Sequence, residues 1–188
     1  RQYIDITAPD FHPLPIAVAN FQAVGDSAAQ AAELQQVLRD DLTLTGVFDV
    51  LDPKSYLAES KEGVAPTAIK FSRWGDVGAD ALVKALVKRT GNDINVEFHL
   101  YDVRASKEVL KKTYDVSTKT LRSASHRFAD EIFQHFTREK GIFSSKIAFV
   151  RKLKGSRDVG MCDADGKGCD VILTARGTWS ERVDGIDA

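Results

Sequence analysis

The sequence predicts an α/β protein of the α+β type: a mixed sheet with helices packed on one face, followed by a shorter segment that is β only. Three features predict it. Leu14 to Phe21 is an apolar run bounded by turn residues, as in a strand covered on both faces. Residues 80–117 read as three consecutive strands separated by two polar turns. Leu34, Val37, Leu38 and Leu42, and later Leu121, Ala124, Phe128, Ile132 and Phe136, recur at helical spacing.

The elements follow in order. Residues 1–13 read as an arm. Ile4 and Ile6 share one side of a short strand pattern, with Tyr3, Asp5 and Thr7 on the other, and Pro9 and Pro13 prevent its continuation. In the run 14–21, Pro15 stands near the start, where a missing N–H is tolerated. Gly25 ends that run, and Asp26 or Ser27 is placed to cap the first long helix. Gly46 sits where a C-terminal glycine belongs. Val47–Leu51 is a second strand, stopped by Asp52-Pro53. A short helix is expected over Thr67–Trp74. The meander comprises Asp80–Arg89, Ile94–Val103 and Val109–Ser117. In its middle strand Ile94, Val96, Phe98 and Leu100 face one way, and Asn95, Glu97, His99 and Tyr101 face the other. The helix Thr120–Glu139 covers the apolar face. The expected divisions are an arm at 1–13, an α/β domain at 14–140, and a linker with an incomplete β unit at 141–188. In the last part, strands are expected at Ile147–Lys152, Asp158–Cys162 and Asp170–Thr174.

Composition excludes several classes. The 26 Lys and Arg balance 27 Asp and Glu, a net charge of −1, which argues against a dedicated nucleic-acid binder. No apolar run approaches the roughly 18–20 residues that span a bilayer. No signal sequence opens the chain, so the expectation is either a cytosolic protein or one whose export signal has been removed.

Candidate chemistry is sparse. Gly25-Asp26-Ser27, between a strand and a helix, is similar to the nucleophile block of one esterase class, which needs a histidine base held by an acid. None of His12, His99, His126 and His135 has Asp three residues before it, so capping is the expected role of Asp26 or Ser27. His126 and His135, nine residues apart on one helix, face opposite ways at about 100° per residue. No metal site and no cofactor are expected. Asp163-Ala164-Asp165-Gly166 begins like a calcium loop, but the twelfth position is Thr174 where a bidentate carboxylate is needed. A hairpin turn is the expectation. If Asp165-Gly166 forms a two-residue loop, Cys162 and Cys169 lie opposite each other within disulfide reach, and a longer loop would shift that register.

Several blocks together carry a resemblance. Pro15-Ile16-Ala17-Val18-Ala19-Asn20-Phe21, Asp41 to Phe48, Trp74 with Gly78 to Val83, Phe98 to Val103, His126 to Phe133, and Lys140 to Val150 run in order through nearly all of residues 1–174. The chain resembles the TolB family, periplasmic components of the Tol-Pal system of Gram-negative bacteria. The resemblance implies an N-terminal α/β domain followed by a six-bladed β-propeller, of which this chain holds only the incomplete first blade. It implies a periplasmic, non-catalytic scaffold that supports outer-membrane integrity and constriction at division and is exploited by colicins. It implies TolA contacted by the arm, through Gln2, Tyr3, Ile4, Asp5, Ile6 and Thr7, and Pal bound by the propeller, most of which is missing here. Thr137-Arg138 departs from the family's usual Thr-Gly after the last helix. Seven extended residues reach about 23 Å at ~3.3 Å each, enough for strand addition to a partner's sheet. Two other classes remain: a serine esterase using Ser27, and an RNA-binding module, since the family's fold is similar to anticodon-binding domains.

Overall fold

A computed structural model describes residues 11–57 and 62–176. The chain forms two compact units, Arg1–Ser144 and Ser145–Ala188.

In the first unit the sheet order is β3 (Phe48–Val50), β1 (Leu14–Val18), β4 (Ala81–Thr90), β5 (Asp93–Asp102) and β6 (Lys107–Ser117), and β2 (Gln22–Val24) also pairs with β4. The pairs β1–β3, β1–β4 and β2–β4 are parallel; β4–β5 and β5–β6 are antiparallel. The mixed sheet is as expected, but the run 14–21 is not one strand. From Val18 opposite Val83 to Gln22 opposite Leu86 the chain advances 22 − 18 = 4 residues while β4 advances 86 − 83 = 3. The extra residue breaks the ladder after Val18. It lets Phe21 turn inward onto the edge of Phe98, with ring centroids 5.6 Å apart.

Helices α1 (Ala28–Leu44) and α3 (Leu121–Thr137) cover one face. Leu34, Leu38 and Leu42 meet Phe128 and Ile132 over Val83, Val96, Phe98 and Leu100 in one apolar cluster. Phe98 and Phe128 stack at 4.7 Å. Burying such side chains stabilises by about 1.5–3 kcal/mol each, so this layer dominates the unit's stability. The short helix lies later than expected. Pro66 opens a one-turn 3₁₀ segment, Pro66–Ala68; Ile69 is extended, and α2 runs Phe71–Asp76. It packs Trp74 with Ala17, Leu82, Tyr101 and Val103, so part of the second sheet face is covered as well. His99 and Tyr101, read from the alternation as outward-facing, are buried there.

Residues 141–144, expected to open the linker, lie within the first unit. The Asp130 carboxylate accepts the backbone N–H groups of Phe143 (2.8 Å) and Ser144 (3.1 Å), and Phe143 is fully buried. A Cβ on Gly141 would lie 2.2 Å from Asp130 Oδ1, so the close approach requires glycine.

The second unit is an antiparallel meander of β7 (Lys146–Leu153), β8 (Ser156–Asp163) and β9 (Asp170–Arg176). Phe149 stands opposite Gly160 and occupies the space a side chain there would need.

Candidate functional site

The arm residues Gln2, Tyr3, Ile4, Asp5, Ile6 and Thr7 lie outside the described residues. At the start of the α/β body, Leu14 N–H donates to Val47 O at 2.9 Å and opens β1. Beside Leu14 is a hollow of about 150 Å³ lined also by Asp80, Asp102, Lys107, His135 and Phe136. Its acids are engaged, Asp80 by Arg104 Nε at 2.7 Å and Asp102 by the Ala105 N–H at 2.8 Å.

Ser27 departs from both sequence readings. It stands at the N-cap position, but its side chain makes no capping bond. It is fully buried. Its hydroxyl donates to the carbonyl of Val87 at 2.9 Å, with that of Val24 at 3.0 Å also in reach. A hydroxyl tied to main-chain carbonyls in the core joins α1's entry to the end of the sheet. Local pattern carries no warning of this, because a cap and a core tether use the same residue types at the same place.

The histidines serve separate places. His99 Nε2 lies 2.8 Å from Glu97 Oε1 and its Nδ1 3.4 Å from Glu108 Oε2, on the second sheet face. His126 Nδ1 lies 2.7 Å from Asp41 Oδ2 and links α3 to α1, both side chains nearly inaccessible. His135 meets the edge of Phe136. In the second unit, Asp163 pairs with Lys146, and Asp165 Oδ1 accepts the Lys167 N–H at 3.0 Å. The Gly166 N–H donates to Asp163 O at 2.9 Å, closing a turn. Cys162 and Cys169 are joined, their Cα atoms 4.0 Å apart. The connection between β8 and β9 is longer than two residues, yet Met161 opposite Asp170 keeps the register that brings the cysteines together.

Sequence reading missed two features. The first is a buried carboxylate centre. Glu62 Oε1 accepts the Lys70 N–H at 2.6 Å, while Oε2 accepts Trp74 Nε1–H at 3.0 Å and Lys84 Nζ at 2.8 Å. Glu62 and Lys84 side chains are 5% and 4% exposed. Burial alone would raise the Glu62 pKa, but the donated hydrogen bonds, first from Lys84, outweigh it and hold the carboxyl below its usual range. Burial pushes Lys84 down, with Glu62 opposing. The available signal was Lys84 itself, a lone charge in the apolar run Ala81–Val87.

The second feature is the edge of β6 and the groove beside it. Among the described residues β6 pairs with β5 alone. Between β6 and α3 lies a groove of about 260 Å³, lined by Tyr114, Arg127, Asp130, Glu131, Gln134 and Lys140 among others. Burial, then Glu131, pushes the Tyr114 phenol up to about 12, so it stays a hydrogen-bond donor at neutral pH.

Fold and site together define a class: a mixed-sheet α+β domain joined to an antiparallel β meander, with strand edges and grooves as its contact surfaces. A family model described as the TolB amino-terminal domain matches residues 2–109, and the chain belongs to that family. A Tol-Pal system protein TolB from Anaeromyxobacter dehalogenans (strain 2CP-C) is 48% identical over 94% of this chain and 41% of its own length. One from Myxococcus xanthus (strain DK1622) is 41% identical over 87% of this chain and 38% of its own. The chain thus spans about two fifths of the curated relatives it matches. The crystal structure of TolB from Acinetobacter baumannii superposes with a TM-score of 0.67 at 24% identity, covering 94% of this chain and 42% of that one, and shares the fold. Among the described residues no helix is long and apolar enough to cross a membrane.

Proposed function

We propose that the chain is the amino-terminal part of a periplasmic scaffold of the Tol-Pal system, without catalytic activity, that engages TolA through residues 1–7 and Pal through a propeller beginning at residue 145. The observation that carries this reading is family membership over residues 2–109, together with relatives named as Tol-Pal system proteins. The burial of Ser27 supports a binding role, since its hydroxyl is committed to main-chain carbonyls. Exposed apolar residues of the meander, among them Val150, Val171 and Leu173, support its reading as a propeller blade, which needs neighbouring blades to cover it.

On this reading the arm adds as a strand to TolA. Ile4 and Ile6 fill pockets, and the main chain supplies the hydrogen bonds. The test is deletion of residues 1–7, followed by a pull-down with purified TolA and a thermal melt. The expected outcome is loss of TolA binding with a nearly unchanged midpoint. Wild-type TolA affinity in the deletion would refute the role of the arm.

A further inference from the structure

We propose that the outer edge of β6 and the groove between β6 and α3 form a second docking site, which takes an extended acidic segment of a protein partner as an added strand. The residues that form it, Lys107–Ser117 with Arg127 and Lys140, are not those of the arm.

Three observations carry it. First, β6 is eleven residues long, Lys107–Ser117, and within the described sheet only one side of it is paired. An edge of that length offers a row of main-chain donors and acceptors. Second, charge is distributed unevenly around it. The nearby acids are already engaged: Glu131 accepts Lys112 Nζ at 2.9 Å, Glu97 accepts Lys111 Nζ at 3.0 Å, Asp115 accepts the Asn95 amide at 2.7 Å, and Asp130 accepts two backbone N–H groups. Arg127 and Lys140 border the groove, both exposed, and no ion pair of theirs is found among the described residues. Third, the side of β6 facing α3 presents half-buried apolar surface, Leu110 and Val116, on either side of Lys112 and Tyr114.

These facts select the occupant. Side chains of an added strand alternate between faces. On the α3 side, apolar residues would meet Leu110 and Val116, and a carboxylate between them would reach the groove. There the Arg127 guanidinium can grip it in bidentate fashion, with Lys140 and the protonated Tyr114 phenol beside it. Lys107, Lys111 and Lys112 along the edge repel a basic strand, and a neutral strand pairs through its main chain but leaves Arg127 and Lys140 without a counter-charge. The same lysines admit an acidic strand. Main-chain bonds supply most of the affinity, and the exposed cations supply selectivity that weakens with salt.

The test uses the whole chain, isotope-labelled, and a seven-residue peptide of alternating serine and valine with one central glutamate, capped at both ends. A matched peptide carries lysine at the centre. Backbone amide shifts are followed in both titrations, for the wild type and for the double variant Arg127→Glu, Lys140→Glu. Both substituted positions are exposed, so the fold is kept, which an unchanged thermal midpoint verifies. The expected result is saturable shifts confined to β6 and the facing turns of α3 with the glutamate peptide. Its affinity should fall about tenfold or more in the double variant, and the lysine peptide should gain in that variant. Equal affinity of the glutamate peptide for both proteins, shifts located elsewhere, or no binding at millimolar peptide would overturn the proposal. So would concentration-dependent shifts of β6 without peptide, which would assign the edge to a second copy of the chain.

Discussion

Glu62 illustrates how a single residue can hold a surface in place. Its carboxylate gathers donors from Lys70, Trp74 and Lys84, and its carbonyl accepts from Gln22 Nε2 at 2.7 Å. The Tyr101 hydroxyl donates to Val64 O, pinning the same segment over the second sheet face. Three N–H donors favour the charged form of Glu62 and hold its carboxyl low against burial. A carboxyl held below its ordinary value of 4.5 contributes stability that is present above that pH and is lost as pH falls through the folded value. Urea midpoints should therefore drop on acidification below about pH 4.5, and Glu62→Gln should flatten that dependence. Lys84→Met alone should cost about 3–5 kcal/mol by leaving a buried carboxylate uncompensated. The double variant Glu62→Gln, Lys84→Met should cost less than Lys84→Met. Equal losses in single and double variants would show that the pair is not coupled. Ser27→Ala should cost about 1–3 kcal/mol, because Val87 O would be left buried without its donor.

Among the elements, α3 carries a visible compromise at its end. Arg138 follows the helix at φ +65°, in the left-handed region, and its N–H donates to Gln134 O at 2.9 Å. That conformation costs a side-chain-bearing residue roughly 1–2 kcal/mol. The family's usual Thr-Gly would place glycine there. Arg138→Gly should raise stability by about 0.5–1 kcal/mol once the greater freedom of glycine in the unfolded chain is subtracted. Chemical denaturation monitored by circular dichroism would read the gain, and a loss would show that contacts of the Arg138 side chain outweigh the backbone strain. The broken first strand belongs to this scale too. The hydrophobicity of Leu14 to Phe21 marked a buried segment, but composition carries no information about the extra residue that splits it into β1 and β2. That residue is visible only as a change of register against β4.

At the scale of the molecule, the chain is two units with different means of support. The first rests on a large apolar layer between α1, α3 and the sheet. The described residues of the second form three strands, with many exposed apolar residues and a covalent link between Cys162 and Cys169. Closing so short a loop is worth about 2–3 kcal/mol in the chain-entropy account. Cys162→Ser with Cys169→Ser should accordingly speed hydrogen exchange of the β8 and β9 amides while leaving β4, β5 and β6 unchanged. Thiol titration of the unreduced wild type should find no free thiol among the two.

Periodicity and turn chemistry by themselves determined the class of fold, the positions of both long helices, the three strands of the 80–117 meander and the change to β structure after the first unit. These depend on local patterns whose physical meaning is fixed by the 3.6 and 2.0 repeats. The folded arrangement settles where Ser27 points, that Glu62 meets Lys84 across 22 residues, that a longer connection still aligns Cys162 with Cys169, and that β6, among the described residues, ends the sheet beside a groove bordered by Arg127 and Lys140. Each of those depends on which segments become neighbours once the chain closes, and spacing along the sequence does not encode that proximity.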